Sequence, residues 1–379
     1  MIQPDATLPP LMSIPNKFNL FHTIIISLSI GLIVCITLFC FSTFESNHRL
    51  VYIFFISFIT SSITFLSIYL TYIQRINYIN QWNLERDRLI KEKTKLKRRT
   101  INSNLIFTMT ALGNQGNSLF ALTDKNLLKQ TEKEDKSIIK NANIPILTSK
   151  NSTERFTGIL DHFLLSNTES ISKIASNKQT RFVILDNINE LSKEYLIEKI
   201  NKISSKNISN QIQFLPPNKL STFMNEQANL LAHPPIFLLG MQINTETSYY
   251  SEAVVLLELL SNSENHGANI HQSPENILDY CIENVLSFGG NIPYAIENIW
   301  HSNIDEFELS QILEKLSTLG ISPQPKLINA NAVFGETSEL SELLLISLAL
   351  EQTQKSDLPQ LILNTENMHK ARIISNKNH

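Results

Sequence analysis

The chain is poor in the residues that usually announce chemistry. It has three cysteines in 379 residues. Cys35 and Cys40 fall inside an apolar run, and Cys281 falls inside an expected helix. That excludes a disulfide framework and a CxxC metal site, and it suits a reducing compartment. Neither GxGxxG nor GxxxxGKS or GxxxxGKT occurs, so the isolated Gly113 and Gly116 do not make a phosphate loop. No Ser-His-Asp arrangement has motif support, and nothing calls for a cofactor. His266 and His271 stand in a Gly, Asn and Ser-rich stretch without a third ligand, which reads as a solvated loop rather than a metal centre. Charged residues are only 18% of the chain and the net charge is -3, so composition gives no pull toward nucleic acid.

Two long apolar runs are present. Residues 20–41 contain no Asp, Glu, Lys or Arg and a single histidine, His22, and residues 50–73 contain no charged residue. Each is long enough to cross a hydrocarbon core of about 30 Å as a helix. The intervening segment, 42–49, is too short for a domain. A transmembrane hairpin is the economical reading, because soluble helices rarely run this far without a polar face. The first run is also too long for a signal peptide, and it lacks a small-residue cleavage site.

Basic residues orient the hairpin. Arg75, Arg86, Arg88, Lys91, Lys93, Lys95, Lys97, Arg98 and Arg99 follow the second run, against Arg49 alone between the runs. The positive-inside rule puts both chain ends on the cytoplasmic face, which is the inner-membrane face in a bacterium. That rule alone accounts for these charges. A second reading makes Arg88, Lys91, Lys95, Arg98 and Arg99 a surface for anionic lipid head groups. The organisation is then a tail over 1–19, a hairpin over 20–73, a basic helix or linker over 74–103 and a cytoplasmic α/β domain over 104–379.

In that last part, short apolar runs alternate with helical periodicity. Strands are expected at 105–112, 144–147, 181–186, 236–243, 251–260, 297–300, 326–332, 360–363 and 370–374. Helices are expected at 156–174, 190–203, 218–231, 305–319 and 338–353, with another running from Pro274 to Phe288 and stopped by Gly289 and Gly290. Residues 123–141 read as an excursion. Neighbouring strands without an intervening helix, 236–243 with 251–260 and 360–363 with 370–374, imply hairpins and hence a mixed sheet.

The succession RFVILD, PPIFLLGMQINTE, YSEAVVLLELL, IENIWHSNIDEFELSQILEKL, LINANAVFGETSELSELLLISLAL, LPQLILN and HKARIIS resembles thiolase-like proteins, the superfamily of thiolases and ketoacyl synthases. The resemblance implies a layered α/β body and pairing of two copies through a central strand as a homodimer. Catalysis in that superfamily needs a cysteine at a helix N-terminus activated by histidines, since a thiolate attacks acyl thioesters. Here Cys281 lies in mid-helix, and the GHT or GDT turn reads Gly335, Glu336, Thr337.

The expectation from these departures is a membrane-anchored, non-catalytic thiolase-like domain that acts as a scaffold or adapter for protein partners. It is similar in this to the adapters that hand type VI secretion lipases to their carriers. The alternative is an acyl- or lipid-processing enzyme with a relocated site. Its candidate pocket is Glu336, Thr337 and His301, where His301 pairs with Asp305 unless Asp305 only starts a helix. Glu336, Glu339 and Glu342 form either an acid-base cluster or early-helix acids that complement the helix dipole.

Overall fold

The computed structural model describes residues 11–13, 15, 17–41, 49–123, 128–132, 138–145, 152–177, 179–188, 190–204, 207–230, 232–243, 250–261, 267–276, 278–288, 296–365 and 369–376. Contacts divide the chain into two units, residues 3–94 and 95–379.

The first unit is built on α1 (Leu20–Phe41) and most of α2 (Arg49–Lys97). Both are long and apolar enough to cross a membrane. Only 11% of each apolar window is buried, whereas a core helix of a soluble protein would be mostly covered. The two helices meet through small side chains. Thr23, Ser27 and Gly31 recur every fourth residue on the buried face of α1, and a Cβ on Gly31 would stand 1.9 Å from Ser61 Oγ. Glycine therefore sets how closely the helices approach. As expected, the second span continues without a break into the basic segment, because 74–97 keeps strong helix formers and contains neither Pro nor Gly. Residues 42–48 of the connecting turn lie outside the described residues.

The second unit is an α/β body. Its first half comprises β1 (Thr100–Thr110), α3 (Asn117–Leu122), a hairpin of β2 (Lys129–Glu132) and β3 (Ile138–Asn141), α4 (Ser152–Ser166), α5 (Thr168–Ser176), β4 (Arg181–Leu185), α6 (Glu190–Ser204), β5 (Ile212–Leu215), α7 (Leu220–Asn229), β6 (Ile236–Gln242) and β7 (Ala253–Leu260). The second half comprises β8 (Ala268–His271), β9 (Glu275–Asn276), α8 (Leu278–Phe288), β10 (Asn298–Ser302), α9 (Glu306–Thr318), β11 (Lys326–Asn329), α10 (Ala330–Phe334), α11 (Ser341–Ser356), β12 (Gln360–Thr365) and β13 (His369–Asn376).

The strands form a mixed sheet in the order β11-β10-β12-β13-β8-β1-β7-β6-β4-β5, with β9 on β13. In the first half β5, β4 and β6 run parallel, and β6–β7 and β7–β1 are antiparallel. In the second half β11, β10 and β12 run parallel, and β12–β13 and β13–β8 are antiparallel. The same five-strand pattern thus occurs twice, joined where β1 pairs antiparallel with β8.

The layering follows from which face each apolar side chain takes. Val183 and Leu185 of β4 enter a central core that also holds Trp300, Ile328, Ile362 and Ile374 of the other half. Phe182 and Ile184 point the other way, onto α4, α5 and α6. Ile299, Leu361 and Ile373 pack on α8 and α9. The side chains of α11 from Ser341 to Leu350 are all buried, so every face of that helix is covered. It touches strands of both halves. Strands covered on both faces read as continuous apolar runs, as IFLLG and AVVLLELL do.

The mixed sheet and both expected hairpins are present. Several boundaries differ for local reasons. The strand expected at 326–332 stops at Asn329, whose side chain accepts the Ala332 N–H and caps α10. Pro274 precedes β9, and the helix expected from it begins only at Leu278. The single helix expected over 156–174 is two helices parted at Asn167, whose Nδ2 donates to the Phe163 carbonyl at 2.9 Å. β1 starts five residues earlier than expected, at Thr100, because its first turns pair with β8. Ile144 is not in a strand, and Gly289 and Gly290 lie outside the described residues.

Candidate functional site

Like α11, α7 enters the central core, with Leu220, Phe223 and Met224, and the first turns of the two helices come to the same polar cluster. Lys370 and Arg372 alternate with Ala371 and Ile373 on β13, so both basic side chains leave the strand on the face of Ile374, toward the central layer. Opposite them is Glu342, in the first turn of α11 and 5% exposed. Lys370 Nζ stands 3.3 Å from Glu342 Oε2, and Arg372 Nη2 stands 3.6 Å from Oε1. Arg372 also donates to Ser221 Oγ of α7 at 3.1 Å, to Asn225 Oδ1 at 3.5 Å and to the His271 carbonyl at 2.7 Å. Asn225 then holds the Ser273 backbone, donating to its carbonyl and accepting its N–H, each at 2.9 Å. Beside these, Ser302 Oγ donates to Asn364 Oδ1 at 3.4 Å and Asn364 Nδ2 donates to Ser341 Oγ at 3.2 Å.

Glu342 and Arg372 are buried and Lys370 half-buried, and the set makes the bonds just described inside the protein, while Arg372 Nε has no hydrogen-bond partner among the described residues. An isolated charge at this depth would be costly, and each one here has a partner of opposite sign. Chemically, Ser221 receives a bond from a guanidinium, which cannot act as a base. Among the described residues no histidine or carboxylate side chain is within hydrogen-bond distance of Ser221 Oγ to take its proton.

The candidate pocket residues are not brought together. His301 is on β10 between Trp300 and Ser302, on the alternate face, which is that of Ile299 and the α8–α9 layer. It is 3% exposed, its Nδ1 has no hydrogen-bond partner, and burial lowers its pKa to about 4, so it is neutral at pH 7. Glu336 is exposed, in the loop that leads to α11, where its carbonyl accepts the Ser251 N–H at 2.6 Å. Gly335 takes φ 79 to turn the chain there, and Thr337 is buried just before a 3-10 turn over Ser338–Leu340. Asp305 accepts the Glu308 N–H at 2.7 Å and caps α9.

The other sequence candidates divide similarly. Of the three early acids, Glu336 and Glu339 are exposed, and Glu342 is the buried member of the ion set. His271 is not in a solvated loop. It is on β8, 7% exposed, with Nε2 3.0 Å from Ser375 Oγ, because antiparallel pairing of β8 with β1 and β13 draws it into the sheet. His266 lies outside the described residues. Cys281 is buried in α8, with Sγ 3.3 Å from the Pro274 carbonyl and 3.4 Å from that of His369, as expected of a core residue.

Among the basic candidates, Lys91, Lys95 and Arg98 are exposed. Arg88 is paired with Glu92 at 3.2 Å and Glu85 at 3.6 Å, and its hydrogen bond to Glu92 raises its pKa. Arg99 donates to the Asn229 carbonyl at the end of α7, 2.5 Å away, so it acts on the body.

Sequence reasoning passed over Ser221, Lys370 and Arg372. The available signal was a Lys and an Arg two residues apart in a strand that is otherwise apolar, which puts both on one buried face.

No protein-family model and no curated protein matches the chain. Solved structures similar to it include a β-ketoacyl synthase from Burkholderia phymatum, with TM-score 0.48 and 7% identity over 73% of this chain and 99% of that one. A 3-oxoacyl-[acyl-carrier-protein] synthase III from Aquifex aeolicus has TM-score 0.41 and 9% identity over the same shares. A tetronic acid condensing enzyme has TM-score 0.43 and 9% identity, again over 73% and 99%.

Proposed function

We propose that the chain is a membrane-anchored, thiolase-like protein whose α/β body serves as a non-catalytic scaffold or adapter for protein partners at the cytoplasmic face. The observation that carries this reading is the closed ion set at the start of the two central helices. There Arg372 donates to Ser221 Oγ, and Glu342 pairs with both Lys370 and Arg372. A site that spends its polar groups on each other supports the fold rather than a reaction. The kind of partner to look for on this reading is a secreted effector or its carrier.

Affinity purification of the intact protein from detergent-solubilised membranes, beside a variant lacking residues 1–100, tests the proposal. A reproducible partner retained by the shortened body supports the adapter reading. Recovery only with the hairpin moves the function to the spans, and recovery of nothing in either case counts against an adapter.

One observation favours the second reading, an acyl- or lipid-processing enzyme. The buried His301 is neutral and its Nδ1 is unpartnered, as a base held ready would be. Turnover of acyl or lipid substrates that survives in the wild-type protein and vanishes in H301Q would establish that reading over the first.

A further inference from the structure

The segment ahead of α1 is fastened to α2 through its own backbone. Asn83 grips the Met12 peptide from both sides: the Met12 N–H donates to Oδ1 at 3.1 Å and Nδ2 donates to the Met12 carbonyl at 3.0 Å. Six residues on, the Phe18 N–H donates to the Tyr72 hydroxyl at 3.0 Å. The Phe18 ring packs on Tyr72, Tyr69 and Phe65, with centroids 5.1, 5.4 and 6.5 Å away. Next to it, Asn19 Oδ1 accepts the His22 N–H at 3.0 Å and caps α1.

The spacing is informative. Tyr72 and Asn83 are separated by about 16 Å along a helix at 1.5 Å per residue, and the six residues from Met12 to Phe18 reach about 20 Å when fully extended. The two fastenings, Met12 on Asn83 and Phe18 on Tyr72, are therefore ordered antiparallel to α2. Asn83 lies ten residues beyond Ile73, where the uncharged run ends. Both grips read main-chain groups, so they depend on Asn83 and Tyr72 and hardly on what side chains the segment carries.

We propose that the fastenings at Met12 and Phe18 make the segment ahead of α1 a strap. It crosses the hydrocarbon boundary at Phe18, locks the first turn of α1 to α2, and commits the N-terminal segment to the side on which α2 emerges. The aromatic group around Phe18 sits where amphipathic rings favour the interface, and Asn83 holds the far end in the polar zone. The hairpin then becomes a mount in which α1 and α2 cannot splay at this end. This inference rests on the membrane reading of α1 and α2.

The strap contains its own reporter. Lys17 is exposed and is the first basic residue of the chain, and the bond after it carries the Phe18 N–H that Tyr72 holds. Trypsin can cut that bond only when the strap lifts. The experiment adds trypsin to the full chain in sealed vesicles and measures release of peptide 1–17 by mass spectrometry, for the wild type, N83A and Y72F.

Release is expected to be roughly tenfold faster in N83A, which loses two hydrogen bonds, and several-fold faster in Y72F, which keeps the ring and loses one. Equal rates in all three would overturn the strap. Release that requires detergent, while the basic segment of α2 is cut without it, would also overturn it, because the tail would be on the opposite side. Extraction of the protein from the vesicles by alkaline carbonate would instead refute the membrane reading, and the same three rates on the extracted protein would still decide the strap.

Discussion

The two halves of the α/β body share a strand pattern but put their buried charges in different layers. In the first half Arg155 of α4 and Glu252, just before β7, pair in the interior. Glu252 Oε2 also accepts the Ile144 N–H at 2.8 Å, and Arg155 donates to the Ile144 carbonyl at 2.6 Å. That pair stitches an irregular segment to the sheet. In the second half Glu342, Lys370 and Arg372 gather where α7 and α11 begin, inside the central layer. One duplicated topology has thus placed a buried ionic group at an outer joint in one copy and in the central layer of the α/β body in the other. A fold pattern fixes where strands and helices run and leaves open which layer carries the polar residues.

Breaking these sets should have the largest effects. E342A removes the carboxylate that pairs with Lys370 and Arg372, and E252A removes the one that pairs with Arg155; each is expected to cost about 3–5 kcal/mol, read as a loss of denaturation midpoint. If the halves are as different as their layers, E342A will also loosen α7 and α11 in hydrogen exchange, whereas E252A will expose the 142–144 segment first.

His301 gives a pH test confined to the second half. Its folded pKa of about 4 lies below the ordinary value of 6.5, so the unfolded chain takes up the proton first. Stability from this group is therefore fully present above pH 6.5 and is lost as pH falls from 6.5 to 4, by about 3 kcal/mol. H301Q should flatten that part of the stability curve.

A smaller change sharpens the contact of β6 with the central layer. A Cβ on Gly240 would meet Leu340 Cδ1 at 2.4 Å and Leu343 Cδ2 at 2.5 Å, so G240A is expected to cost about 1–3 kcal/mol as these leucines shift. The smallest expected effect is D305A, which removes the cap of α9 and should lower the unfolding free energy by about 1 kcal/mol without moving the first half.

Local signals made much of the architecture legible. The uncharged run at 50–73, the strand RFVILD, the helix behind Asp305 and the hairpin of β12 with β13 could all be read from periodicity and punctuation. The reading failed where a long-range partner decides the local state. The stretch after Asn329 is apolar enough for a strand and becomes helix because Asn329 caps it. His271 has loop-like neighbours and becomes part of the sheet because β1 and β13 flank it. The candidate site was less legible than the fold. Glu336 and His301 seem equivalent as lone polar residues in a sequence, and alternation along β10 sends His301 to the outer layer while Glu336 faces solvent.

By itself the sequence determined two helices long and apolar enough to span a bilayer, a basic continuation of the second, and an alternating α/β body with two antiparallel hairpins, because length, charge and periodicity act within a few turns of chain. Only the tertiary structure decided that α11 is enclosed on every face, that Ser221 of one half meets Arg372 of the other, and that Asn83 holds Met12. Those outcomes depend on which groups far apart in sequence arrive within about 3–4 Å of one another, where a hydrogen bond forms and the attraction of an ion pair is strongest.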